Sequence, residues 1–288
     1  MTLEVGTYTR FQLPIAAYHA DRSAISKSSA VAFDEAPSVY ESQYILGVGK
    51  KESSSLDLGK EVHDVIDGSF DENYVVEPEV KSRSEKIWKD FVASYPGKTC
   101  LKPAEADKAC DMAQAILNHG LFRKYSDQGG EYETTFVHRD GETGVLSKTR
   151  PDFITHDRLT IVDFKTAASI KHFKFQKAAY DFHYQVSAAF TLESVHAVTG
   201  IMPERYIFFV VQSSPPYLVV PYQATDEDLE LGRIFLRRVL PEFKKCRETG
   251  IWPGLSEEIR PLGPPPYARR ILETAETYSK TGSGDWRD

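Results

Sequence analysis

The stretch that most constrains the fold of this chain runs from Gly144 to Thr166, G-V-L-S-K-T-R-P-D-F-I-T-H-D-R-L-T-I-V-D-F-K-T. Its first half, Val145 to Thr155, mixes β-branched and apolar residues with polar ones, and its second, Leu159 to Phe164, is an apolar, β-branched run. The polar triplet His156-Asp157-Arg158 is short enough to turn one into the other, so the pattern predicts two strands joined by a tight turn. Asp163 and Lys165 are two positions apart, and a strand presents such residues on the same side. Asp152 precedes Asp163 by eleven positions, a separation that a hairpin folds back on itself. The expectation is two carboxylates and one ammonium converging on one spot.

Such a spot suits metal-assisted phosphodiester hydrolysis. Carboxylate oxygens are hard ligands for Mg²⁺ or Mn²⁺. A divalent ion neutralises charge on the attacked phosphate and acidifies water, and a neighbouring lysine can hold or deprotonate the attacking water. The plainer alternative is a turn aspartate at 152 and an exposed Asp163–Lys165 ion pair, a kind of pair that contributes only about 0–1 kcal/mol. Against it, Asp163 and Lys165 interrupt an otherwise apolar run, Ile-Val-Asp-Phe-Lys, where charges are costly unless they serve a site.

Pro151-Asp152 followed by Asp163-Phe164-Lys165 resembles the signature of the PD-(D/E)xK nuclease superfamily. Ser26-Lys27-Ser28, Gly59 with His63, Glu133, Thr143-Gly144, Lys148-Thr149-Arg150 and Thr166 extend the likeness, and the ordered set resembles the RecE-type exonuclease VIII family from about Tyr18 to Phe243. That resemblance implies a mixed α/β fold, a central mixed sheet flanked by helices around a restriction-endonuclease-like core. It implies a Mg²⁺-dependent exodeoxyribonuclease, with Mn²⁺ able to substitute, acting 5′ to 3′ on linear double-stranded DNA in recombination or repair. It makes His63, Asp152, Asp163 and the Phe164 backbone carbonyl the metal ligands, with Asp152, Asp163 and Lys165 as catalytic residues. Glu133 is then either a further ligand or a solvent-facing strand residue. Ser26, Lys27, Ser28, Arg150, Thr166 and Gln185 are the expected DNA contacts. Expected partners are double-stranded DNA ends, a single-strand annealing recombination protein and further copies of the chain. The chain departs from the family's Gln-x-x-x-Tyr pattern, because Ala189 follows Gln185 at the tyrosine position.

Two of these residues have their own local readings. Ser26 or Ser28 is placed to cap a short helix ending near Pro37, which either is only a cap or also offers hydroxyls, a lysine and free N–H groups to a phosphate. Gly59 and His63 share one face of a predicted helix over residues 53–68, where the glycine leaves room beside the imidazole.

Composition excludes several alternatives. At 288 residues, 41% hydrophobic and 12% aromatic, the chain is long and apolar enough for a folded core. Cys100, Cys110 and Cys246 are scattered, without Cys-x-x-Cys or zinc spacing and one short of the four thiolates of an iron–sulphur cluster, so neither zinc nor such a cluster is expected. No apolar run approaches a membrane span, and the N-terminus lacks the pattern of a signal peptide, so the expectation is a cytoplasmic protein with no membrane partner. The formal net charge of −7 is a poor guide to DNA binding, which depends on the local field, and without a basic tail the sequence gives no sign of strong non-specific coating of DNA. The rivals are a restriction- or repair-type endonuclease on the same core, a DNA-binding module with lapsed chemistry, and an acidic scaffold with a fortuitous match.

In order, the chain divides into a loosely attached arm over residues 1–17, one nuclease-type domain over 18–254, and a Pro-rich tail over 255–288 with a detached helix from Tyr267 to Lys280. Within the domain the pattern predicts helices over 81–95, 103–124, 171–198 and 226–250, and strands over 131–139, 205–212 and 217–223.

Overall fold

A computed structural model of the chain describes residues 3–49, 54–77 and 82–281. The chain forms two compact units, Met1–Trp252 and Pro253–Asp288. Ser53, Lys81 and residues 282–288, which enter the sequence-based boundaries, lie outside the described residues.

The first unit opens with β1 (Gly6–Tyr8), α1 (Ile15–Ala20), α2 (Lys27–Glu35), α3 (Pro37–Tyr40) and a π-helical turn over Glu41–Ile45. Ser26 caps α2, as its spacing predicts: its hydroxyl accepts the Ser29 N–H and the Ser29 hydroxyl accepts the Ser26 N–H. There follow α4 (Ser54–Ile66), α5 (Phe70–Asn73), β2 (Tyr74–Val76), α6 (Lys86–Ser94), β3 (Thr99–Leu101), α7 (Pro103–Leu117) and α8 (Gly120–Asp127). The predicted single helix over 103–124 is therefore two, divided where His119 takes an extended conformation before α8.

The functional core comprises β4 (Gly130–Tyr132), β5 (Thr135–Arg139), β6 (Leu146–Thr149), β7 (Phe153–Thr155), β8 (Thr160–Ala167), α9 (His172–Asp181), α10 (Tyr184–Thr199), β9 (Arg205–Gln212), β10 (Val219–Gln223) and α11 (Asp226–Thr249). Five strands form the central mixed sheet in the order β10-β9-β8-β7-β4, with β8 and β9 parallel and the other pairs antiparallel. Parallel neighbours need a crossover, which α9 and α10 supply. A second sheet has the order β1-β5-β6, and β2 and β3 form a short parallel pair.

Strand alternation sorts the core into two layers. Phe153, Val162, Phe164 and Phe209 pack against Val62 of α4, Met112 and Ile116 of α7 and Phe122 of α8. Ile154, Ile161, Phe208 and Val210 point the other way, against Ala188, Leu192 and Val195 of α10. Phe122 meets Phe153, Phe164 and Phe209 edge-on at 5.3–5.6 Å between ring centroids. Full burial of one such side chain contributes about 1.5–3 kcal/mol.

Four further sequence expectations are corrected. Residues 145–155 are not one strand but β6 and β7, in different sheets; Pro151 supplies no N–H to continue the ladder. Residues 131–139 split likewise into β4 and β5, where Glu133 adopts a left-handed backbone (φ 54°). The helix expected over 171–198 breaks at Phe182 and His183, the latter also left-handed (φ 56°). The arm is not loosely attached: β1 pairs with β5, and Leu3 and Leu13 are buried with Val137 and Leu146.

The predicted turn at 156–158, the long strand over 205–212 and the closing helix agree with β7–β8, β9 and α11. In the second unit, α12 (Pro266–Thr281) covers the expected tail helix. Among the described residues, no helix is long and apolar enough to cross a membrane.

Candidate active site at a double sheet crossover

The site lies where two strands change sheets together. β4 pairs with β7 in the central sheet, whereas β5 pairs with β6 in the smaller one. Both crossings, at Glu133–Thr134 and at Arg150–Asp152, occur side by side, tied by a bond from the Glu133 N–H to the Asp152 carbonyl at 3.2 Å. Asp152 thus sits at the mouth of β7, where the antiparallel register of Phe153 with Val162 brings it opposite Asp163. Its Oδ2 accepts the Phe164 N–H at 2.6 Å.

Lys165, two residues beyond Asp163 on the same face of β8, donates to Asp163 Oδ1 and to the Phe164 carbonyl at 3.2 Å. The other Asp163 oxygen accepts the Tyr206 hydroxyl of β9 at 2.7 Å. From α4, His63 Nε2 lies 2.8 Å from the Phe164 carbonyl and Nδ1 lies 3.4 Å from Asp152 Oδ1. Gly59, one turn earlier, faces Thr166: a methyl group there would meet its Oγ1 at 3.6 Å, an ordinary contact, so the glycine is not sterically required.

The electrostatics follow from crowding these groups away from water. Burial works to raise Asp152, but the His63 and Lys165 charges and the Phe164 N–H outweigh it and hold Asp152 well below the usual carboxylate range. Burial works to lower His63, yet the Asp152 carboxylate prevails and His63 is pushed up to about 9. Burial and then the Asp152 charge push Glu133 up to about 8. Burial opposes the Lys165 charge too, but Asp163 and Asp152 retain its proton, while Asp163 itself is lifted by burial against the pull of Lys165. At neutral pH an ionised Asp152 therefore faces a protonated His63 and a protonated Lys165, with Glu133 largely neutral.

The donor set fits a hard divalent cation. Ligand atoms of His63, Glu133 and Asp152 all lie within 4.8 Å of one another. Two carboxylates and one imidazole suit Mg²⁺ or Mn²⁺ once their protons have left. Asp163 stands outside that group, its oxygens taken by Lys165 and Tyr206, and the Phe164 carbonyl faces His63. The structure thus brings together all five metal-ligand candidates, but draws Glu133 rather than Asp163 into the tight triad.

The cluster opens into a cleft of about 1140 Å³, lined by Ser26, Lys27, Ser28, Arg150 and Thr166 among others. The Ser26 hydroxyl is engaged in its cap, and Lys27 Nζ donates to the Phe182 carbonyl at 2.6 Å. Burial and the Lys165 charge lower Lys27 to about 8. Arg150 reaches the cleft wall but its side chain is only 4% exposed. Its Nε donates to Thr135 Oγ1 at 2.6 Å, a second nitrogen donates to the Leu13 carbonyl, and the guanidinium lies 4.5 Å from the Tyr18 ring centroid. It braces the crossover more than it faces a ligand. Gln185 does not line the cleft, and its Oε1 is buried without a hydrogen-bond partner among the described residues.

Tyr206 and Tyr184 were not singled out as functional from sequence. Tyr206 holds Asp163, and the Tyr184 ring lies 5.2 Å from Lys165 Nζ. Strand and helix patterning marks both as core, and only the register of β9 on β8 and the start of α10 at Tyr184 place them here.

A mixed sheet flanked by helices, with Asp152 at the sheet crossover and Asp163 and Lys165 beside it on β8, has the form of a PD-(D/E)xK nuclease-like core. Residues 26–262 match the model of the PDDEXK-like domain of unknown function DUF3799, and the chain belongs to that family. The crystal structure of a provisionally named exonuclease from Eubacterium rectale superposes with a TM-score of 0.63 at 17% identity, over 92% of this chain and 97% of that one. The structure of SSO0001 gives a TM-score of 0.29 at 14% identity, over 66% of this chain and 88% of that one. No curated protein matches the chain.

Proposed function

We propose that the protein is a divalent-metal-dependent deoxyribonuclease, an exonuclease acting 5′ to 3′ on linear double-stranded DNA in recombination or repair. The observation that carries the hydrolytic reading is the convergence of Asp152, Asp163 and Lys165 with His63 on one cleft, with Glu133 grouped beside His63 and Asp152. The end-dependent part rests on the resemblance to RecE-type exonucleases and is supported by the name given to the Eubacterium rectale neighbour. Mg²⁺ is the expected ion, with DNA ends as substrate, further copies of the chain and a single-strand annealing protein as partners.

The residues that would hold the ion are His63, Glu133 and Asp152, with Asp163 and the Phe164 carbonyl adjoining. When bound, a divalent ion supplies charge neutralisation at the phosphate and a lowered pKa for water. Asp152 is fixed for this by the Phe164 N–H, and Asp163 by Tyr206. Lys165, kept protonated by two carboxylates, is better suited to orient the attacking water and offset phosphate charge than to remove a proton. Lys27, Ser28 and Thr166 line the path of the DNA backbone.

The test is linear duplex labelled at the 5′ or the 3′ end, followed over time with Mg²⁺, beside covalently closed circles. Release of 5′-terminal nucleotides with intact circles supports the reading. Rapid cleavage of circles replaces it with an endonuclease, and no cleavage of either with any divalent ion removes the enzyme reading.

A further inference from the structure

We propose that Phe182, stacked on Tyr184, is a platform for an unpaired nucleobase of the DNA strand held in the cleft; this rests on the nuclease reading above. Three rings form a ladder from core to solvent. Phe208 of β9 is buried and stacks on Tyr184 at 5.5 Å and 25°. Tyr184 stacks in turn on Phe182 at 6.0 Å and 26°. Phe182 is 60% exposed and lines the same cleft as Asp152, Asp163 and Lys165.

Its position is built, not incidental. The left-handed backbone of His183 ends α9 and starts α10, and Phe182 sits at that break. Lys27 Nζ fixes the Phe182 carbonyl at 2.6 Å, so the ring is presented from an anchored backbone. The middle ring, Tyr184, lies 5.2 Å from Lys165 Nζ and 5.9 Å from Lys27 Nζ. The ladder therefore passes beside the proposed catalytic lysine on its way to an open aromatic face, with Lys165 and Lys27 flanking its middle ring.

A flat apolar face beside ammonium groups fits a base with its phosphates better than it fits an apolar peptide. Base–aromatic stacking is tolerant of sequence, since every base has a π-face. The platform would hold a base near the bond to be broken whatever its identity, as a nuclease without sequence preference requires.

The experiment uses the full chain and linear duplexes carrying 2-aminopurine at each of the terminal positions of one strand, with Ca²⁺ in place of Mg²⁺. Wild type and Phe182→Tyr are expected to change the fluorescence of one position on binding. Phe182→Ala and Phe182→Leu are expected to lose that change and to bind about tenfold more weakly. If Phe182→Leu matched wild type while Phe182→Ala bound weakly, plain apolar packing would replace stacking and the inference would fall. If both bound with wild-type affinity and fluorescence, the platform would fall and the nuclease reading would stand. If wild type neither bound these duplexes nor degraded them with Mg²⁺, both would fall together.

Discussion

The Glu133 N–H donates to the Asp152 carbonyl at 3.2 Å, and that bond ties together the two points at which the chain crosses from one sheet to the other. Each crossing ends a ladder, leaving a carboxylate at the end of a strand instead of within it. The Glu133 backbone is left-handed there, an arrangement costing about 1–3 kcal/mol that the paired crossing sustains. The Glu133 and Asp152 carboxylates are thereby brought together beside His63.

If the ion sits in the tight triad, Glu133→Gln weakens Mn²⁺ binding at least as much as Asp163→Asn. Asp152→Asn exceeds both, losing more than the roughly 10–100-fold typical of groups that only support a ligand. Asparagine still accepts the Phe164 N–H through its amide oxygen but removes the charge that offsets His63 and Lys165, so the fold is kept with a loss of thermal stability. Calorimetric titration of Mn²⁺ into the three variants decides the order. A larger loss for Asp163→Asn than for Glu133→Gln would move the ion from Glu133 toward Asp163.

Metal affinity should rise with pH. In the ion-free state His63 is pushed up to about 9 and Glu133 up to about 8, so both hold protons at pH 7. A cation binds their deprotonated forms and displaces those protons. The cost of displacement is largest at and below pH 7 and disappears as pH passes about 9, so affinity climbs across that window. Calorimetry in buffers of different ionisation enthalpy at pH 7 should show net proton release, and His63→Ala should reduce it. Binding without proton release would mean that neither group is a ligand.

Arg150→Ala should act on stability before it acts on DNA. The guanidinium is 4% exposed and donates to Thr135 and Leu13. Charge-assisted bonds of this kind contribute about 1.5–3 kcal/mol each, so a loss of about 3 kcal/mol is expected in urea unfolding. Wild-type stability with weakened DNA binding would return Arg150 to the role of a phosphate contact.

These contrasts mark what was legible in the sequence. Asp152, Asp163 and Lys165 could be read because a two-residue spacing and one hairpin are local geometry, and β7–β8 has that register. The helix around His63 and the Ser26 cap were local as well. The sheet crossings were not, since β-branched Thr134 and Thr135 carry the pattern on through the first and only Pro151 hinted at the second. Tyr206 and Tyr184 reach the site through register and helix placement set by residues far away in sequence. Gln185 carries half of a family pattern, yet α10 leaves it off the cleft. Arg150 shows the remaining ambiguity: a basic residue beside an acidic signature reads the same whether it meets a phosphate or braces the fold.

Lys165 separates a working nuclease from a look-alike. It is not a metal ligand, because an ammonium has no lone pair to give. Asp163 and Asp152 keep it protonated, and its contacts with Asp163 and the Phe164 carbonyl fix it at the cleft floor. A fixed charge there orients water and offsets charge developing on the phosphate, effects of roughly 10²–10³-fold when one such donor is removed. Lys165→Ala should lower single-turnover hydrolysis on that scale. DNA affinity in Ca²⁺ should change little, since one cation among several phosphate contacts is a small part of binding. Lys165→Arg should not restore the rate, because the planar guanidinium cannot reproduce a compact ammonium between Asp163 Oδ1 and the Phe164 carbonyl. Near-wild-type turnover in Lys165→Ala would undo the assignment of Asp152, Asp163 and Lys165 as the catalytic group.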